Sequence, residues 1–116
     1  MRNKLKLLFV TPIFLFSCGG SNCEELSKLY RDNECLIIVK NIPDSFSGAY
    51  FEIEGKSIKT GKDTVYKEEN RWFCAYYDSI SPRDTIIKRK GELMFNIHKK
   101  DTVLSFNYEC DGKVYK

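Results

Sequence analysis

Ten consecutive uncharged residues, Leu7-Leu8-Phe9-Val10-Thr11-Pro12-Ile13-Phe14-Leu15-Phe16, follow the basic start Met1-Arg2-Asn3-Lys4-Leu5-Lys6 and end at Ser17-Cys18. This stretch constrains the fold first, because it is expected to be absent from it. As a helix it would rise about 15 Å, half of the ~30 Å hydrocarbon thickness of a bilayer, so it is too short to remain as a span. A basic start, a short apolar core and a small residue before the cut are the marks that secretory processing reads. Residues 1–17 are therefore read as a removed signal peptide, 18–22 as an anchor and linker, and 23–116 as a single disulfide-braced, β-rich domain.

Leu15-Phe16-Ser17-Cys18 resembles the lipobox of bacterial lipoproteins, which places a Leu-like residue, usually a small residue, then Gly, Ala or Ser, before an invariant Cys. Phe16 departs from the usual small residue. The resemblance covers only the first twenty or so residues. It implies cleavage between Ser17 and Cys18, a diacylglyceryl thioether on the Cys18 thiol, and acylation of the freed amine. One acyl chain binds a bilayer marginally, at about 0.8 kcal/mol per buried methylene, whereas two or three hold a protein durably. Gly19 stands where an Asp often causes inner-membrane retention, so the resemblance points to the outer membrane. The cysteine start and aromatic, Lys-rich composition are similar to small lipoproteins of the Bacteroides–Flavobacterium group.

Removal of the signal changes the charge argument. Arg2, Lys4 and Lys6 leave with it and no acid does, so the 19 basic residues become 16 and balance the 16 acids. The pI of 8.6 thus reflects the signal, and a nucleic-acid partner is not expected. The clusters Lys88-Arg89-Lys90 and Lys99-Lys100 read as solvated hairpin tips.

Four cysteines remain beyond the anchor: Cys23, Cys35, Cys74 and Cys110. In a small exported domain an even number reads as two disulfides. Zinc would favour close C-x-x-C pairs, which are missing here. Leu26, Leu29 and Tyr30 are helically spaced, Glu24 and Glu25 fall in a first turn, Arg31 falls in a last one, and Asn33 is a stop, with Ser21 or Asn22 as caps. Such a helix separates its ends by about 15 Å, against the ~7 Å limit of a disulfide. Cys23 and Cys35 are therefore each expected to reach Cys74 or Cys110.

From residue 35 the pattern is that of strands: Cys35–Val39, Tyr50–Glu54, Thr64–Lys67, Arg71–Tyr77, Thr85–Lys88, Glu92–Ile97 and Thr102–Cys110, with Asp111-Gly112 turning the chain into Lys113–Tyr115. The fold class is mainly β, a small antiparallel meander forming a sandwich or partly closed barrel, with one short N-terminal helix. Lys62-Asp63-Thr64-Val65, Arg83-Asp84-Thr85-Ile86 and Lys100-Asp101-Thr102-Val103 repeat base, acid, Thr and a branched residue. In an up-and-down meander these starts share one end of the sheet. Spaced by roughly 9–10 Å and flanked by cations, they read as turn-to-strand junctions rather than a calcium site.

No catalytic signature is present, and His98 is expected at an exposed hairpin tip without a nucleophile. No cofactor and no metal are expected. The aromatic cluster Trp72, Phe73, Tyr76 and Tyr77 is the candidate binding face: as a strand it places Trp72, Cys74 and Tyr76 on one side and Phe73, Ala75 and Tyr77 on the other. The functional expectation is a non-catalytic, membrane-anchored envelope lipoprotein that binds a protein or glycan partner. The alternative is a small enzyme-inhibitor or immunity-type lipoprotein.

Overall fold

The computed structural model describes residues 22–43 and 49–116. The cleavage site Ser17–Cys18 and the anchor itself lie outside the described residues.

Helix α1 spans Asn22–Asp32, with Glu24 and Glu25 in its first turn and Arg31 in its last, charges that complement the helix dipole. Cys23, Ser27 and Tyr30 are its buried residues, spaced four and three apart and so stacked on one face. The strands are β1 Cys35–Asn41, β2 Tyr50–Ser57, β3 Asp63–Glu69, β4 Thr85–Lys88, β5 Met94–His98, β6 Val103–Cys110 and β7 Lys113–Tyr115. They form one open sheet in the order β3-β2-β1-β4-β5-β6-β7, every neighbouring pair antiparallel. The protein is thus mainly β, as its alternating apolar pattern indicates.

Two short meanders make this sheet, β1-β2-β3 and β4-β5-β6-β7. Between them residues 70–84 cross back from the β3 edge to lay β4 beside β1. The crossover carries helix α2, Arg71–Cys74, and a 3₁₀ turn, Tyr77–Ser79. Strand alternation then sorts the side chains. Cys35, Ile37 and Val39 of β1, Phe51 and Ile53 of β2, Ile86 and Lys88 of β4, and Phe95 and Ile97 of β5 point to the covered face, where Tyr30 and the crossover pack on them.

The segment 71–77 is a correction to the sequence reading: it is helical, not a strand. Asn70 holds an extended backbone at the N-cap, and its Oδ1 accepts from the Phe73 amide at 2.9 Å, satisfying one of the orphan donors of a helix start. In a strand Trp72 and Phe73 would face opposite sides. In a helical turn both reach the sheet, and Trp72 is left 6% and Phe73 0% exposed. Burial of two adjacent large rings outweighs the modest β-propensity of aromatics.

Gly55 meets a different demand. A Cβ there would lie 2.0 Å from the Ile38 carbonyl oxygen, so β2 approaches β1 too closely for any side chain, beside the irregularity between Val39 and Asn41. At the β6–β7 hairpin, Asp111 and Gly112 have φ of 52° and 78°, the paired positive values of a two-residue turn that suits sheet twist.

The crossover also corrects the shared rim of Asp63, Asp84 and Asp101. It makes β3 and β4 run in opposite directions, so Asp63 starts its strand at the end away from the other two. Asp84 is a junction residue: its Oδ2 accepts from the Ser81 amide at 2.8 Å and from Lys99 Nζ, while its carbonyl accepts from the Val39 amide at 2.8 Å. Asp63 pairs instead with Lys40 at 2.7 Å, with both side chains exposed.

Candidate binding cleft

The aromatic cluster that the sequence singles out is mostly core. Phe73 packs 4.6 Å from Phe95 and 5.4 Å from Phe51, centroid to centroid. The single Tyr77 hydroxyl proton is shared between the carbonyls of Pro43 and Glu52, 2.9 and 3.1 Å from the hydroxyl oxygen. As an exposed flat face, therefore, Trp72, Phe73, Tyr76 and Tyr77 do not stand: the helical turn directs the rings inward. Trp72 and Tyr76 keep a margin on the surface, where they help to line a cleft.

That cleft has a volume of about 300 Å³ and lies between α1, α2 and β6, lined by Leu26, Tyr30, Arg71, Trp72, Ala75, Tyr76, Tyr108 and Glu109. A second cleft of about 320 Å³ shares Leu26, Tyr30 and Arg71 with it and adds Leu29 and Glu69. Sequence reasoning missed Tyr30, Arg71, Tyr108 and Glu109. Tyr30 was legible as part of an amphipathic helix, but its placement beside Trp72 depends on the crossover.

The walls are held together by ring contacts and a hydrogen bond. Tyr30 sits 5.9 Å from Trp72 and 5.1 Å from Tyr108, and Trp72 sits 5.4 Å from Tyr108, within the spacing of favourable edge and offset contacts. The Trp72 indole donates to the Asn107 carbonyl at 3.2 Å. Tyr76 stacks on Phe106 at 3.9 Å. Burial pushes the Tyr30 hydroxyl above its ordinary pKa, opposed by hydrogen bonds with the backbone of Arg71 and Trp72. Burial likewise raises Tyr108, aided by Tyr30 and Tyr115 beside it. The cleft at neutral pH thus presents neutral phenols and apolar rings, with one cation, Arg71, and two acids, Glu69 and Glu109, around it. Such a surface can orient a ligand through its rings and rim charges.

At the far end of α1 lies a buried cation that the sequence reading placed on a solvated tip. Lys88 is fully buried, and its Nζ donates to the carbonyls of Arg31 at 3.0 Å and Asn33 at 2.6 Å. The Gly91 amide reaches the same Arg31 carbonyl at 2.7 Å. Burial pushes the Lys88 pKa down to about 8, against the attraction of Glu92 and with the repulsion of Arg31. The orphan carbonyls of the helix end supply what such a cation needs.

At the near end Cys23 is bonded to Cys110, with Cα atoms 5.7 Å apart. This is one of the partners the helix geometry allowed. The second expected bridge is not formed: Cys35 and Cys74 are buried free thiols. Cys35, at the start of β1, has Lys88 as its charged neighbour, whereas Cys74, at the end of α2, has Arg71. Burial raises both thiol pKa values, and each cation opposes the shift, which keeps the sulfurs protonated and poor nucleophiles. Among the described residues, the one trio spaced for a metal ion is Cys23, Cys110 and Asp111. Its two sulfurs are bonded to each other, so as a cystine they are not thiolate ligands. His98 ends β5, half-buried and paired with Thr85 and Val103, rather than at a hairpin tip.

Among the described residues no helix is long and apolar enough to cross a membrane. The chain matches no protein-family model, no curated protein and no solved structure. What the fold and the cleft define is a class: an open antiparallel β-sheet, covered on one face by a strapped helix and an aromatic crossover.

Proposed function

We propose that this protein is a non-catalytic, membrane-anchored lipoprotein of the cell envelope, held by acylated Cys18 and binding a protein or glycan partner at the aromatic cleft. The observation that carries the reading is the order of a basic start, a ten-residue uncharged run and Leu15-Phe16-Ser17-Cys18. Two features support it. The Cys23–Cys110 bridge suits an oxidising compartment outside the cytosol. The first described helix begins at Asn22, so only residues 19–21 separate it from the anchor, and the domain stands within about 15 Å of the lipid. Gly19 directs the proposal to the outer membrane.

Mass spectrometry of the membrane-extracted protein tests the anchor. The expected N-terminal peptide starts at an acylated Cys18, and Cys18→Ser abolishes membrane retention; an intact Met1 or a start at any other residue overturns the reading. For the cleft, the soluble 19–116 chain is immobilised and exposed to envelope extracts, with Arg71→Glu and Tyr76→Ala as comparisons. A partner retained by the parent and lost from both variants supports the site. Equal retention by all three removes it, and a retained enzyme that loses activity on binding selects the inhibitor class.

A further inference from the structure

The helix that receives the tether is shallowly embedded on the covered face. Of the eleven residues of α1 only Cys23, Ser27 and Tyr30 are buried, and Leu29 is 56% exposed. Its lateral holds are two side chains, Tyr30 seated against Trp72 and Tyr108 and Leu26 packed on the core. Its other holds are at its C-terminal end, where Lys88, Gly91 and the Arg31 side chain tie it to the β4–β5 turn and to the Lys116 carbonyl. Any pull applied through residues 19–21 would reach α1 at the opposite end and strip it turn by turn.

Cys23 is the second residue of that helix. Its partner, Cys110, ends β6, a strand hydrogen-bonded to β5 on one side and β7 on the other. We propose that the Cys23–Cys110 bridge is a strain relief: it carries tension from the N-terminal tether directly into β6 and keeps α1, with the cleft it walls, out of the load path. The inference rests on the anchoring reading for the source of the tension, not for the mechanics. A covalent link at the first turn is the position that shields the most helix, since every residue behind it lies inside a loop that cannot extend until the sulfur–sulfur bond or the sheet gives way. The cleft walls Leu26 and Tyr30 lie within that loop, so a bound partner would not lose one side of its site when the domain is pulled away from the bilayer.

Single-molecule pulling on residues 18–116, produced without the signal and so with a free Cys18 thiol, tests this. One handle is attached at the natural anchor, the Cys18 thiol, and the other at residue 62, exposed in the β2–β3 turn. In the oxidised protein the expected trace has no early step before the sheet opens. After reduction, or in Cys110→Ser, an early low-force step should appear, lengthening the chain by about 20 Å as the eleven residues of α1 pass from a helix of about 16 Å to an extended length of about 38 Å. Near-UV circular dichroism establishes that the reduced protein is still folded. An early step of that size in the oxidised protein overturns the proposal. So does a reduced protein that opens in one step at the oxidised force, or that is unfolded at rest, which would make the bridge a general brace. An unacylated Cys18 in the membrane-extracted protein would defeat the anchoring reading while leaving these traces interpretable.

Discussion

The two helices on the covered face are held in opposite ways. Helix α2 has four residues, three of them buried, and is fixed by what it inserts: Trp72 and Phe73 fill the space over Phe51 and Phe95. Helix α1 has eleven residues with three buried, and is fixed at its ends, by a disulfide at one and a buried lysine at the other. A helix too short to be stable in isolation is secured by packing, since nucleating one turn is unfavourable and only tertiary burial offsets it. A longer helix that lies on the surface needs few side chains in the core, provided its termini cannot fray.

That contrast is broken most severely at α2. Phe73→Ala removes a fully buried ring and should cost about 3–5 kcal/mol, a large part of the stability of a domain this size, read by urea unfolding. An effect near 1 kcal/mol would mean that α2 is seated less deeply than its burial indicates. Reducing Cys23–Cys110, or replacing Cys110 with Ser, should cost about 2–4 kcal/mol. Here hydrogen exchange sharpens the comparison: amides of α1 should lose protection ahead of those of α2 and the central strands, and simultaneous loss would make the two helices one cooperative unit.

The lysine clasp has a pH signature. Lys88 ionises near 10.5 in an ordinary setting and about 8 in the fold, so between those values the unfolded chain holds a proton that the folded one lacks. Stability therefore rises with pH through that window, at up to about 1.4 kcal/mol per pH unit and about 3 kcal/mol in all. The wild type should accordingly gain on Lys88→Met between pH 8 and 10.5 and run parallel to it below pH 8. The raised tyrosines and thiols weaken the fold at high pH, but they are common to both proteins and drop out of the difference. A flat difference would place the Lys88 ammonium in solvent. The smallest effect belongs to the α2 cap: Asn70→Ala should cost about 1 kcal/mol, and a loss far beyond that would show the buried amide holding more of the crossover than one amide hydrogen bond.

Much of the fold is legible residue by residue. The N-terminal helix, read from Cys23 and found from Asn22, the strand at Thr85–Lys88 and the Asp111-Gly112 turn follow from charge placement, alternation and the need for positive φ, all of which act within a few residues. The 71–77 segment misleads because its rings satisfy the strand pattern locally. The contrary signal, Asn70 followed by a helix-compatible turn, is a single cap and cannot outvote four aromatics until the sheet face they cover is known. Lys88 misleads for a related reason: in Lys88-Arg89-Lys90 it looks like one of three solvated cations, yet strand alternation turns it inward, beneath the helix carbonyls. The four cysteines look equivalent in the chain and diverge in the fold, two bridging and two buried as thiols.

By itself, then, the sequence determined short-range properties: the N-terminal helix, the strands other than the 71–77 segment and the Glu92 start given to β5, which begins at Met94, the tight Asp111-Gly112 turn, the end that carries the anchor-like signal, and that a bridge from Cys23 to Cys35 across α1 is disfavoured. The tertiary structure alone decided the order of strands, the crossover that sets β3 and β4 in opposite directions, the choice of Cys110 for Cys23, and the meeting of Tyr30, Trp72 and Tyr108 in one cleft. The physical reason is range. Propensity, capping and alternation are summed over neighbours in the chain, whereas partner choice depends on which faces must be buried together, and that is settled only when the whole sheet is assembled.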